Sequence, residues 1–134
     1  MPVGDVAAIE LETAGEEGVL AARHRTWFAL RVERVESEIG RTGRPEVMRD
    51  LAADQDNVRR AVESALAEGD ATIALRICTA MTPFWTSHGD WTEGCERLGA
   101  AVDLTGTTDQ RLRGRALVAL GTLPLLSGAL ANAE

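Results

Sequence analysis

Apolar residues recur at steps of three and four along almost the whole chain of 134 residues. Such steps place side chains on one face of an α-helix, whereas strict alternation is typical of a half-buried strand. Hardly any segment of this chain alternates. The spacing therefore predicts an all-α protein, and the length is that of one domain.

Glycine–acid pairs divide this pattern into separate helices. In Gly69-Asp70 and Gly89-Asp90, the glycine is suited to end one helix and the aspartate to cap the next. Pro45 suits the first position of a helix. The pattern predicts a short helix from Asp5 to about Thr13, followed by helices over residues 16–39, 45–68, 70–88, 90–104 and 108–127.

Further signals predict where the last two helices start and where the final one ends. Asp90 with Glu93, and Thr107 with Gln110, have the spacing of a capping box. Gly128 predicts the end of the last helix. Two prolines, Pro83 and Pro124, lie inside these patterns, and each is expected to bend its helix because it removes a backbone donor.

Short turns between successive helices predict antiparallel hairpins stacked as a tetratricopeptide-like, right-handed α-solenoid fragment. Residues 1–15 form a lead-in, and residues 16–134 form the helical-repeat domain with an incomplete last repeat. A repeat without a neighbour leaves an apolar face open. We therefore expect a piece of a longer array, or a chain that pairs with a partner.

Composition favours binding over catalysis. All 14 basic residues are arginine, and the chain has no lysine and no tyrosine, which excludes a phosphate-loop lysine, a Schiff base and tyrosine acid–base chemistry. No serine lies in a nucleophile elbow. We expect no enzyme activity and no cofactor. The net charge of −7 disfavours direct contact with nucleic acid.

Export, membrane and metal signals are weak. The first basic residue, Arg23, follows a run of acids, unlike a secretory leader. Residues 116–133 carry no charge, but Gly121, Pro124 and Gly128 interrupt them, so a buried helix is favoured over a membrane span. Two cysteines suit a reducing cytoplasm, where we place the protein. No zinc or calcium spacing is complete, so we expect no metal site.

Two groups of residues are candidates for an interaction surface. Arg23, His24 and Arg25 could bind an acidic or phosphate group or act as a proton switch, although the apolar stripe on which His24 lies favours a packing role. The second group, Trp85, His88 and Trp91, gathers aromatic rings around one turn and could line a groove or pack in the core. Five further residues are predicted to be structural: Trp27, Phe28, Asn57, Leu98 and Leu120.

Several short runs resemble a known family. They are ARHRTWFAL at 22–30, DNVRRAV at 56–62, ALR at 74–76, FW at 84–85 and HGDW at 88–91. Together they resemble the helical-repeat region of actinobacterial LuxR-like or AfsR-like signal-transduction ATPases, transcriptional regulators in which a nucleotide-binding domain and a winged helix precede tetratricopeptide-like repeats. The resemblance places residues 1–15 at the end of the winged helix. The chain lacks the family's phosphate-binding loop and helix-turn-helix.

The resemblance implies a non-catalytic interaction and sensing arm, whose partner is another protein or the regulator's own ATPase domain. One alternative is a free-standing adaptor that recruits a partner or forms a homodimer through its incomplete C-terminal repeat. Another is a small-molecule sensor with a pocket lined by Trp85 and Trp91.

Overall fold

A computed structural model describes residues 3–42, 45–88, 90–104 and 109–133. These ranges contain helices and no strand, which confirms the all-α prediction. The helices are α1 Val3–Thr42, α2 Pro45–Ala53, α3 Gln55–Ala67, α4 Ala71–His88, α5 Trp91–Asp103 and α6 Gln110–Ala133.

The first helix runs further than the sequence predicts. Asp5 and Gly15 both lie inside α1, so the expected N-cap and break are absent. An exposed glycine costs a helix only about 1 kcal/mol relative to alanine, and no proline stops the helix here. From Val3 onward, the predicted lead-in is therefore continuous with the helix that the sequence predicts over residues 16–39.

The predicted helix over residues 45–68 is instead two helices that meet at Asp54. The Asp54 N–H donates to the Leu51 carbonyl at 3.0 Å, which closes a turn between α2 and α3. The Asp54 carboxylate accepts a hydrogen bond from Arg31 Nε at 2.7 Å. This tertiary ion pair holds the junction against α1, and no local sequence signal predicts it.

The turn between α3 and α4 has the predicted form. Gly69 has a φ of 69°, and the Asp70 N–H donates to the Ala65 carbonyl at 2.8 Å, as in a Schellman motif. Asp70 Oδ1 then accepts a hydrogen bond from the Ile73 N–H at 3.3 Å. One dipeptide thus ends α3 and caps α4.

The caps of the last two helices, α5 and α6, differ from those that the sequence predicts. Asp90 makes no side-chain cap bond, and the Glu93 carboxylate accepts from Arg59 and Arg97. Thr107 lies outside the described residues, and α6 is capped by Asp109, which accepts from the Leu112 N–H at 2.9 Å.

The last helix does not end at Gly128. α6 continues through Pro124 and Gly128 to Ala133, so residues 129–133 belong to it and do not start another helix. α4 likewise continues through Pro83. Both prolines interrupt the backbone hydrogen bonding of their helices without ending them.

The helices form two layers around α4. One layer contains α1, α4 and α6, with α4 in the middle; α3 and α5 form the other and pack against α4. Eleven of the 18 residues in α4 are buried, so its surface is covered almost all round. The largest fully buried side chains are Trp85, Phe84, Leu51, Leu75, Ile77, Met81, Leu98 and Leu123.

Ion pairs join the helices within each layer. In the first layer, Glu33 of α1 accepts from Arg76 of α4, and Glu36 of α1 accepts from Arg115 of α6. In the second layer, Arg59 of α3 donates through Nε and Nη2 to Glu93 of α5, at 2.7 and 2.9 Å. Both layers therefore have charged contacts between helices that are distant in sequence.

Because Glu93 is paired with Arg59, the stability of the fold at acidic pH depends on the ionisation of the Glu93 carboxyl. Hydrogen bonds from Arg59 hold the pKa of Glu93 below its ordinary value of 4.5, with a further contribution from Arg97. Because the pKa is depressed in the folded state, the stabilisation is present above about pH 4.5 and is lost as the pH falls through the folded pKa. Glu93→Gln should therefore lower the free energy of unfolding by about 1 kcal/mol at neutral pH.

The measurement is urea unfolding of both proteins between neutral and acidic pH. The gap between wild type and Glu93→Gln should close as the pH falls below 4.5. Glu63→Gln is the matched control, because Glu63 accepts one bond from Arg97 at 3.2 Å and is 65% exposed. A gap for Glu93→Gln that is independent of pH would contradict the assignment.

Candidate functional site

The aromatic cluster predicted around Trp85 is divided between the core and the surface. Trp85 is 2% exposed, and its ring packs against the backbone of Gly94. His88 is exposed and stacks on Phe84, with ring centroids 4.1 Å apart. Trp91 is half-buried, and its Nε1 has no hydrogen-bond partner among the described residues. Because Trp85 fills space between helices, its ring is not available to line an open pocket with Trp91.

The Arg23, His24 and Arg25 side chains do not form a cluster. Consecutive residues of a helix point in different directions. Arg23 is exposed, whereas His24 is half-buried and its ring centroid lies 4.8 Å from that of Phe28. Arg25 is buried, and its Nη1 donates to Ser64 Oγ at 2.9 Å.

Arg25 therefore has a structural position. Its Nε lies 3.6 Å from Asp70 Oδ2, beyond a hydrogen bond but close enough for electrostatic attraction. The guanidinium joins α1 to α3 and to the start of α4. A combined anion-binding site at Arg23, His24 and Arg25 is not formed.

The residues predicted to be structural occupy different environments. Phe28 and Leu98 are buried, and Leu120 packs against the core from a half-buried position. Trp27 is 56% exposed, since it faces away from α4. Asn57 is half-buried, and its amide makes no hydrogen bond to the described residues, so the expected contact between helices is absent. Arg59, two residues further on, makes that contact instead.

An open groove runs along the layer of α1, α4 and α6. It consists of two adjoining depressions of about 460 and 630 Å³ that share Arg115. We call it the α1–α4–α6 groove. Its lining comprises Glu33 and Glu36 of α1, Thr72, Arg76, Thr79, Thr82 and Pro83 of α4, and Asp109, Arg111, Leu112, Gly114, Arg115, Val118, Ala119 and Thr122 of α6.

One half of the groove is charged. Arg76 Nε donates to Glu33 Oε2 at 3.1 Å, and this contact raises the pKa of Arg76 above its ordinary value. Arg115 reaches Glu36 with its Nη2, 3.2 Å from each carboxylate oxygen. Arg111, at the same end, is exposed. This half can donate hydrogen bonds from fixed guanidinium groups.

The other half of the groove is apolar in spite of its threonines. The hydroxyl of Thr79 donates to the Leu75 carbonyl at 2.8 Å, and that of Thr122 donates to the Val118 carbonyl at 2.8 Å. Because both hydroxyls are bonded within their own helices, they add little free polarity. Val118, 71% exposed, extends this apolar surface.

The groove residues suit recognition better than bond-making chemistry. The titratable groups of its lining are carboxylates and arginines, several of which are paired. Elsewhere, burial raises the pKa of the Cys78 thiol to about 12, which suppresses its nucleophilicity. Within the described ranges, no three His, Cys, Asp or Glu side chains are placed to hold a metal ion. In the same ranges, no helix is both long and apolar enough to cross a bilayer.

Sequence reasoning missed this groove, although α4 contains a signal for it. Thr72, Arg76, Thr79 and Pro83 follow one another at steps of four, three and four in a helix that is otherwise apolar over residues 71–81. A narrow polar stripe of this kind indicates one uncovered face. The contributions of α1 and α6 become visible only when the three helices are packed together.

No model of a known protein family matches this chain, and neither does any curated protein or solved structure.

Proposed function

We propose that this protein is a non-catalytic interaction module that binds a segment of a partner protein in the α1–α4–α6 groove. The observation that carries the proposal is the groove itself, with an apolar half lined by Val118 and an arginine-lined half at Arg76 and Arg115. Binding sites for chains and ligands commonly combine apolar surface with a few fixed polar groups.

The packing order supports a tetratricopeptide-like stack. Each of α3, α4, α5 and α6 packs against the helix before it, and α4 also contacts α1 and α6. In a solenoid of helical hairpins, contacts are confined to near neighbours in this way, and the layer of first helices forms a continuous binding surface. The resemblance to LuxR-like regulators extends the proposal to an arm that binds another protein or the ATPase domain in the cytoplasm.

The test is selection of linear peptides from a random library on the immobilised 134-residue chain, followed by Kd measurements in solution. Thr122→Arg places a long cation in the apolar half of the groove. We expect it to weaken the selected peptides about tenfold or more, as for the centre of an interface. Enzyme assays on the same protein should detect no turnover.

Thr92→Arg is the matched control. It introduces the same side chain at an exposed threonine of α5, in the other layer. Its Kd values should equal those of the wild type. Equal weakening by both variants, or peptides that are insensitive to Thr122→Arg, would contradict binding in the groove.

A further inference from the structure

The two outermost helices of the α1, α4 and α6 layer each have a second apolar face. On α1, the side chains of Val19, Leu20, Trp27 and Leu30 are 52–63% exposed. Their spacing places them on the side opposite Phe28 and Val32, which are buried against the other helices. We call Val19, Leu20, Trp27 and Leu30 the α1 outer face.

The last helix repeats this arrangement. Leu117, Val118 and Leu125 of α6 are 48%, 71% and 74% exposed, and we call them the α6 outer face. The opposite side of α6 packs inward through Leu112, Ala116, Ala119 and Leu123. Arrays of helical repeats normally have polar outer faces on their end repeats, which keep separate chains from associating. The exposed apolar surface on α1 and α6 differs from that arrangement.

The charges of these two helices are opposite. Over its whole length α1 contains eight acidic residues and five arginines, so its net charge is negative. Residues 110–133 of α6 contain three arginines and no acidic residue. The acidic excess lies near Val19 and Leu20 of the α1 outer face, where Arg23 is the exposed basic neighbour. The exposed acids there are Glu12, Glu16 and Glu17. Complementary charge steers the two faces towards each other and disfavours contact between two α1 faces.

The α1 outer face and the α6 outer face of one chain cannot contact each other, because α4 lies between α1 and α6. We propose that the α6 outer face of one copy binds the α1 outer face of a second copy, so that chains associate head to tail. Such a contact is heterologous: each copy retains one free face of each kind and can add another copy. Of the residues in this contact, only Val118 also lines the α1–α4–α6 groove.

The test uses two double variants and sedimentation velocity. The α1 variant carries Val19→Ser and Leu20→Ser, and the α6 variant carries Leu117→Ser and Leu125→Ser. All four side chains are about half-exposed or more, so thermal unfolding should show that both variants fold. The mass of the wild type should rise with concentration beyond that of a dimer, and less steeply at high salt.

Each variant alone should remain at 14.3 kDa, because it lacks one face of the only proposed contact. An equimolar mixture should form a one-to-one dimer, since the α6 face of the α1 variant and the α1 face of the α6 variant are both intact. Self-association of either variant alone would overturn the proposal in favour of a symmetric contact. A monomeric wild type, or a mixture that stays monomeric, would overturn it outright.

Discussion

Replacing Trp85 with alanine is expected to lower the free energy of unfolding by about 3–5 kcal/mol. The ring is 2% exposed and lies where α4 meets α5, in contact with Gly94. Its removal forfeits the transfer free energy of a large aromatic side chain and leaves a cavity that rigid neighbouring helices can fill only in part. Equilibrium unfolding in urea, followed by far-UV circular dichroism, measures the change.

Trp27→Ala is the matched control, because it makes the same substitution at a tryptophan that is 56% exposed. Trp27 has only an edge contact with Phe28, with centroids 4.7 Å apart, and Arg31 5.7 Å above its ring. Its loss should therefore change the stability far less than the loss of Trp85. Similar midpoints for the two variants would show that Trp85 is not packed as described.

Gly94→Ala should be destabilising by about 1–2 kcal/mol, although alanine is the better helix former. A Cβ atom at Gly94 would lie 2.9 Å from Leu123 Cδ1 and 3.0 Å from Trp85 Cε3. Leu123 is 0% exposed and Trp85 is 2% exposed, so both side chains would have to shift within the packed core. The cost of overpacking therefore exceeds the gain in helix propensity. Urea unfolding of the purified variant measures the difference.

Gly99→Ala makes the same change in the same helix and should have the opposite sign. No atom lies within 4 Å of a Cβ placed at Gly99. The variant gains helix propensity without a clash, so it should be more stable by up to about 1 kcal/mol. Equal effects of the two substitutions would rule out close packing of α5 at Gly94.

The sequence predicted those features that depend on residues close together in the chain. The apolar spacing predicted helices, and Gly69-Asp70 predicted a turn, because a left-handed glycine and a capping carboxylate act within a few residues of the chain. The burial of Phe28 and Leu98 follows from their place on an apolar stripe. The same reasoning missed the exposure of Trp27, because periodicity does not show which of two apolar faces of α1 is covered.

Only the tertiary structure decided the groove and the contacts between distant helices. Glu93 has capping-box spacing, yet it accepts hydrogen bonds from Arg59 on α3 because two charge-assisted bonds to a guanidinium outweigh one bond to the local backbone. Arg25 lies in a run that suggests anion binding, yet it is buried against Ser64. The sequence by itself determined that the chain is helical and where α3 ends, since these depend on neighbouring residues. The packing of α1, α4 and α6 determined which side chains share a surface, because their meeting depends on segments up to 79 residues apart.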